Sequence, residues 1–304
     1  MRKAVIDLGT NTFHLLIADM NGDAFTVVEK LQLPVKLGEG GILTRRIAPQ
    51  AFERGMHALG EFRKLLEKHQ CDEVRIVATS AIRSADNGGD FTREAKALYQ
   101  FDIEVIDGLK EAEYIARGVF SSLPPLKDPY LIMDIGGGSV EFILCKGHNI
   151  LHKQSLDIGA ARLVANFHTE DPIPPSAQAL LKDHLENQLS SLMHRVQKEG
   201  IKLLVGSAGS FESILDLMPD LLKKEAEVIN ANCYRMSVAD FDVINQRLIA
   251  SSRQEREKMN GLADYRVEMI VVASILIDTV IQMGRMEDIY CSMYSLKEGL
   301  LESE

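Results

Sequence analysis

Two stretches of this 304-residue chain share one plan, and that plan restricts the fold more than any other feature. In LIMDIGGGSVEF (131–142) an apolar run ends in Asp134. Gly136, Gly137 and Gly138 follow, then Ser139 and a second carboxylate, Glu141. In KAVIDLGTNT (3–12) an apolar run ends in Asp7, and Gly9 leads into Thr10, Asn11 and Thr12. Each run has the length and composition of a buried strand. Each turn leaves backbone N–H groups unshielded, because glycine has no Cβ, so phosphate oxygens can approach the main chain. An aspartate just before such a turn stands where a phosphate-bound cation needs an oxygen ligand. One Gly-rich turn after a strand is a weak signal. Two matched turns point to two similar halves.

The remaining pattern extends that plan. Phe13–Met20 and Phe25–Val28 read as a hairpin around the turn Asn21-Gly22-Asp23, with Gln32–Leu37 as an extension and 36–41 as a mobile Gly-rich loop. Pro49 opens a helix whose buried face is Phe52, Met56, Leu59, Phe62 and Leu66. Val74–Ala78 is a strand that ends in polar Thr79-Ser80-Ala81-Ile82-Arg83. Asn87–Asp90 caps a helix over Phe91–Tyr99, Ile103–Ile106 is a strand, and Glu111–Phe120 is a helix. Ser121–Pro125 reads as a linker, which divides the chain into domains 1–124 and 125–304.

The plan then restarts with a strand (130–135), a hairpin (140–145 and 150–156) and a long helix striped by Leu181, Leu185, Leu189, Leu192 and Val196. A strand over Lys202–Val205 ends in Gly206-Ser207-Ala208-Gly209-Ser210. Helices follow, then a last strand at Asp288–Met293 and a helix at Leu296–Leu301. A tandem strand–turn–hairpin–helix–strand–helix unit specifies two α/β domains across a cleft, with small-residue turns at strand ends where ligands collect.

A net charge of −10 argues against DNA or RNA as a partner, which needs a broad basic surface. A small polyanion would need a local basic pocket. The four cysteines form no CxxC pair and read as reduced thiols. The longest apolar stretch, Met269–Ile277, is too short for a bilayer and reads as core. The first residues form a strand rather than a leader, so a cytoplasmic protein with no membrane partner is expected.

Taken together, DLGTNTFHLL, ATSAIRSADNG, VIDGLKEAEYIARGV, DIGGGSVEF, GSAGS and LKEGLL resemble the exopolyphosphatase / guanosine pentaphosphate phosphohydrolase family. That family belongs to the actin-like sugar kinase/Hsp70 superfamily. The match runs from Ala4 to Leu301 and looks like the short, two-domain form. The resemblance implies an α/β fold of two tandem RNase H-like domains facing a central cleft. It also implies hydrolytic release of the terminal phosphate from inorganic polyphosphate or guanosine pentaphosphate, with a homodimer as the assembly.

The family's catalytic glutamate lies in a motif resembling G-x-E-E-A, which matches Gly108–Ala112. Glu111 takes the role, and Lys110 replaces the first glutamate. Arg83 matches the arginine of T-S-A-x-R and would grip phosphate. Asp134 matches the carboxylate on the Mg²⁺ (or Mn²⁺) side, with Glu141 as its partner in the same or the next shell and Asp7 opposite. Backbone N–H groups of Gly9–Thr12 and Gly136–Ser139 would cradle the phosphates. Arg266-Val267-Glu268-Met269-Ile270 departs from the family's R-A-D-V-I and stays outside the expected site.

Other features carry two readings each. Gly206, Ser207 and Gly209 either hold a guanosine or let a helix approach a strand. Lys36 either touches a bound polyanion or extends into solvent. His14 reads as a packed histidine rather than a ligand. Two other activities suit the glycine turns: an ATP-dependent phosphotransferase, and a non-catalytic binder of polyphosphate or guanosine tetraphosphate.

Overall fold

The computed structural model describes residues 1–22 and 24–302, so Asp23 of the expected 21–23 turn lies outside it. The elements of the first half are β1 (Arg2–Leu8), β2 (Thr12–Asn21), β3 (Ala24–Pro34), α1 (Pro49–His69), β4 (Glu73–Ala78), α2 (Ser80–Ser84), α3 (Gly88–Tyr99), β5 (Ile103–Val105) and α4 (Gly108–Ser122). The second half begins with β6 (Pro129–Ile135), β7 (Val140–Lys146), β8 (Asn149–Leu156), α5 (Ala160–Phe167), α6 (Pro175–Lys198), β9 (Leu203–Ser207), α7 (Ala208–Asp216) and α8 (Met218–Leu222). It continues with β10 (Glu227–Asn230), β11 (Cys233–Ser237), α9 (Val238–Ala250), α10 (Arg253–Arg256), α11 (Ile270–Gly284), β12 (Asp288–Ser292) and α12 (Leu296–Leu301).

The strands form two sheets of one topology. The first runs β3-β2-β1-β4-β5, and β1 lies antiparallel to β2 and parallel to β4. The second runs β8-β7-β6-β9-β12, with β6 antiparallel to β7 and parallel to β9. This is the duplicated RNase H-like arrangement expected. The short β11 and β10 extend the second sheet beyond β12. The sequence reading has only helices in that interval, because strands of four and five residues are too short to establish a period of two.

Three further expectations are corrected. The interval after Val28 holds no separate third strand, because β3 runs unbroken to Pro34. The glycine-rich loop is pinned rather than mobile. Its Lys36 N–H donates to the Asn11 carbonyl (2.7 Å), its Gly38 N–H donates to that of Thr10 (3.1 Å), and Leu37 is fully buried. Asn87 sits at the α3 N-terminus without capping it by its side chain. Its amide instead clamps both backbone groups of Ile47, at 2.8 and 3.0 Å.

Strand alternation divides the core into three layers, since successive side chains of a strand face opposite sides. On β1, Ala4, Ile6 and Leu8 pack outward under α1 and α3. On β6, Leu131, Met133 and Ile135 join the core built with α6 and α11, where the 270–277 stretch is wholly buried. The opposite faces, with Val5, Leu16, Tyr130, Ile132 and Ile143, share a third cluster with α4 and α12. Helices α4 and α12 therefore lie between the two sheets.

Glycine makes that middle layer thin enough to form. A Cβ on Gly118 of α4 would stand 2.0 Å from the Ser295 carbonyl oxygen, and one on Gly299 of α12 would stand 1.8 Å from that of Tyr114. The backbones of the two helices are in direct contact. Arg162 on α5 adds a tie across the cleft, donating to the carbonyls of Gly138 (2.9 Å) and Ile42 (3.2 Å). No helix among the described residues is long and apolar enough to cross a membrane. Gly118→Ala should destabilise the protein by about 1–3 kcal/mol through overpacking. Gly147→Asn, at a left-handed position with no atom near a Cβ, should cost under about 1 kcal/mol. Chemical denaturation of both variants checks the contrast.

Candidate active site

The same alternation turns three acids inward. Asp7 follows Val5 on β1, Asp134 follows Ile132 on β6, and Glu141 precedes Ile143 on β7, so all three face the middle layer. Asp7 and Asp134 occupy equivalent places, each one residue from the end of the strand that pairs antiparallel on one side and parallel on the other. Asp134 lies opposite Glu141 and Ser207 in the strand register. The turns beyond them also match. The Gly9 N–H donates to the Thr12 carbonyl (3.2 Å), and the Gly136 N–H donates to that of Ser139 (3.0 Å). The turns interdigitate: a Cβ on Gly137 would stand 2.9 Å from Thr10 Cβ, and one on Gly138 would stand 2.4 Å from Ser80 Oγ.

Between the turns is a cavity of about 100 Å³, floored by α12 and closed on one side by the start of α4. Gly9–Thr12, Gly136–Ser139, Asp7, Asp134 and Glu111 all line it. Glu111 sits in the first turn of α4, which Asp107 caps by accepting from the Lys110 N–H (2.8 Å). The Arg83 guanidinium donates to Glu111 Oε2 (2.9 Å) and to the Ile106 carbonyl (3.0 Å). Arg83 thus stands behind Glu111 and does not line the cavity. Glu141 stands behind the wall as well, 1% exposed, and accepts from Ser155 Oγ (2.7 Å). Gly108 makes room for that serine, since a Cβ there would meet Ser155 at 2.4 Å.

Burial dominates the electrostatics of these acids. It pushes Asp7 up to about 7, against the opposing charge of Lys297. It pushes Asp134 up to about 6, although Ser207 Oγ donates to its Oδ2 at 2.6 Å. Glu141 rises to about 7, from burial and the Asp134 charge. Glu111 is raised well above the usual carboxylate range by burial and by Glu141, while Arg83 pulls the other way. A cluster of this kind takes up protons or a cation.

The residues fit a divalent ion of one sort. Asp7 Oδ1 is buried without a hydrogen-bond partner, which a cation would satisfy. Among the described residues no group of three His, Cys, Asp or Glu side chains could hold a metal unaided. That suits Mg²⁺, which takes one or two carboxylates and completes its shell with water and substrate phosphates.

Of the other residues singled out in the sequence, Gly206, Ser207, Gly209 and Lys36 lie nearby without lining the cavity. Ser207 orients Asp134. A Cβ on Gly206 would fall 2.0 Å from the Phe211 ring, which is close helix packing. A Cβ on Gly209 would fall 1.6 Å from an Arg266 guanidinium nitrogen, so this glycine makes room for Arg266. Lys36 lines an adjoining groove of about 170 Å³ with Thr10, Asn11 and Met269. His14 does reach the cavity. Burial holds its pKa well below normal, and its Nε2 lies 2.9 Å from Thr12 Oγ1.

Two cations that the sequence reading left out also line the cavity. Arg266 arrives on a 3₁₀ turn (Asp264–Arg266), and Lys297 arrives on α12. The available signal for Arg266 was its place in the segment similar to R-A-D-V-I. For Lys297 it was the closing LKEGLL.

Comparison with known proteins agrees with this architecture. The model of the Ppx/GppA phosphatase family matches residues 16–304. Exopolyphosphatase 2 of Mycobacterium tuberculosis is 31% identical over 287 residues, which are 91% of this chain and 89% of that protein. The guanosine-5'-triphosphate,3'-diphosphate pyrophosphatase of Aeromonas salmonicida is 26% identical, covering 98% of this chain and 58% of its own. The crystal structure of an exopolyphosphatase from Cytophaga hutchinsonii superposes with a TM-score of 0.94 at 36% identity, covering 99% of this chain and 96% of that one. The chain belongs to the Ppx/GppA phosphatase family.

The raised acids set a pH dependence. Between about pH 4, where these acids ionise when unfolded, and about pH 7, the native state binds more protons than the unfolded state. Their contribution to metal-free stability therefore falls as pH rises through that window. A divalent cation held by these acids would compete with protons for the same oxygens, so the rise in Tm on adding Mg²⁺ should be small at pH 5 and largest near pH 8. Asp7→Asn should shrink that rise. A rise equal at both pH values would count against this charge balance.

Proposed function

We propose that this phosphoanhydride hydrolase acts chiefly as an exopolyphosphatase, cleaving the terminal phosphate from inorganic polyphosphate with Glu111 as the general base. The observation that carries the reading is a buried carboxylate with a raised pKa on the wall of a small cavity, facing two glycine turns. A terminal phosphate seated between the turns accepts hydrogen bonds from their N–H groups. Glu111 orients a water and takes its proton as the water oxygen bonds to phosphorus. The bridging P–O bond breaks, the shortened chain leaves with the electron pair, and the proton on Glu111 passes to an outgoing phosphate oxygen. Arg83 fixes the direction of the Glu111 carboxylate. A Mg²⁺ or Mn²⁺ ion held by Asp7 and Asp134, with Glu141 supporting from behind, would supply positive charge at the phosphate oxygens.

Guanosine pentaphosphate is the second reading, because it ends in the same phosphoanhydride. Polyphosphate is preferred because the exopolyphosphatase relative matches over nearly its whole length, whereas the pyrophosphatase relative extends well beyond this chain. Glu111→Gln should lower phosphate release from long-chain polyphosphate by about 10²–10⁴-fold while polyphosphate binding persists. Full activity in that variant would remove Glu111 from the role. A side-by-side rate comparison on polyphosphate and guanosine pentaphosphate with Mg²⁺ tests the order of preference.

A further inference from the structure

Lys297 is a largely buried cation that lies in the field of several carboxylates but in direct contact with none of them. Its residue is 8% exposed and lines the cavity. Among the described residues it donates no hydrogen bond and stands in no ion pair within 4 Å. An ammonium group has three donors, and here they open onto the cavity rather than onto a protein acceptor. Other elements restrict what it can meet. Its neighbour Glu298 is tied into the capping box of α12 and accepts from the Ser295 N–H at 2.9 Å. The Gly118–Gly299 contact locks α12 to α4, so Lys297 and Glu111 ride on one rigid pair of helices. Both side chains open onto the same small space, between two turns that present backbone N–H groups.

We propose that Lys297 is a catalytic residue that binds an oxygen of the transferred phosphoryl group, as a fixed countercharge delivered into the cavity by the last helix. The inference rests on the phosphoanhydride-hydrolase reading of the cavity and adds a residue to it. The charge balance favours such a group. A phosphate entering this cavity meets Asp7, Asp134 and Glu111, and the cations on its wall are Arg266, on a 3₁₀ turn, and Lys297, on the same helix pair as Glu111. Burial pushes the Lys297 pKa down, but Glu298, Glu212, Asp7 and Asp134 outweigh it and hold the side chain charged. Its unused donors match phosphate oxygens, whose negative charge is spread over three positions in the transition state. Preorganised donors in a water-poor site stabilise that charge without reorganising.

The test measures orthophosphate binding to the full chain by titration calorimetry, in EDTA and in Mg²⁺, alongside steady-state hydrolysis of polyphosphate. The variants are Lys297→Met, Lys297→Gln and Lys297→Arg. Both neutral variants should fold, bind phosphate about tenfold or more weakly even in EDTA, and lose about 10²-fold or more in kcat. Lys297→Arg should recover part of the phosphate affinity. The proposal is overturned if a folded neutral variant binds phosphate as the wild type does. It is also overturned if neither neutral variant folds, because the charge then serves the fold. A wild type that binds no phosphate at all would instead bring down the underlying reading of the cavity, and this inference with it.

Discussion

The site depends on the contact between α4 and α12, where Gly118 and Gly299 let two helix backbones touch between the sheets. Neither sheet could build the middle layer alone. Each has an outer face covered by its own helices and an inner face that must be shared. Direct backbone contact brings those inner faces close enough for one apolar cluster to run from Val5 on the first sheet to Ile132 on the second. Period-two alternation then does the rest. Once Val5 and Ile132 face inward, Asp7 and Asp134, two residues later, must do so as well. The chemistry and the shared core therefore arise from one register, and a slip of one residue in β1 or β6 would carry its acid into the apolar core under the outer helices.

Electrostatics makes this an expensive arrangement. The rise of Asp7 from 3.8 to about 7 corresponds to roughly 4 kcal/mol against its charged form. Asp134, Glu141 and Glu111 are shifted in the same direction for the same reason. Such groups are tolerated where the surroundings determine their positions, and each of these is held. Ser207 fixes Asp134, Ser155 fixes Glu141, and Arg83 fixes Glu111. Asp7 differs, with one buried oxygen left unbonded. The asymmetry leaves Asp7 as the acid of the four whose buried oxygen is still open to a donor or a cation.

Much of this was legible in the chain because its signals are local. A strand that ends in Asp and Gly declares its turn within six residues, and two copies declare the duplication. Glu111 was legible through its motif, and the buried helix faces through their spacing. The cations were harder to read. Arg266 and Lys297 come from segments far from either glycine turn, and neither stands in a pattern that distinguishes an inward lysine from a surface one. Their position follows from packing: Gly209 leaves space for Arg266, and Gly299 draws α12 inward. Arg83 was assigned to phosphate as a charge, but it lies off the cavity wall, where its Nη1 donates to Glu111 and to the Ile106 carbonyl. Strands β10 and β11 escaped notice because each is shorter than the window in which alternation can be counted.

Glycine at 137 and 138 has a second consequence beyond exposing N–H groups. These residues sit against the Thr10 and Ser80 side chains at distances that leave no room for a Cβ, so the backbone of one turn packs directly on side chains from the other half. Arg162 reinforces the meeting by reaching from α5 to carbonyls on both sides of the cleft. A side chain at either glycine would hold the turns apart and widen the cavity toward solvent. Water would then screen the charges that the fold gathers at Glu111 and Lys297, and the acids would lose the burial that raises their pKa values. Small residues at the turns therefore set the dielectric of the site as well as its shape, which ties access to the cavity to the proton affinity of Glu111 on its wall.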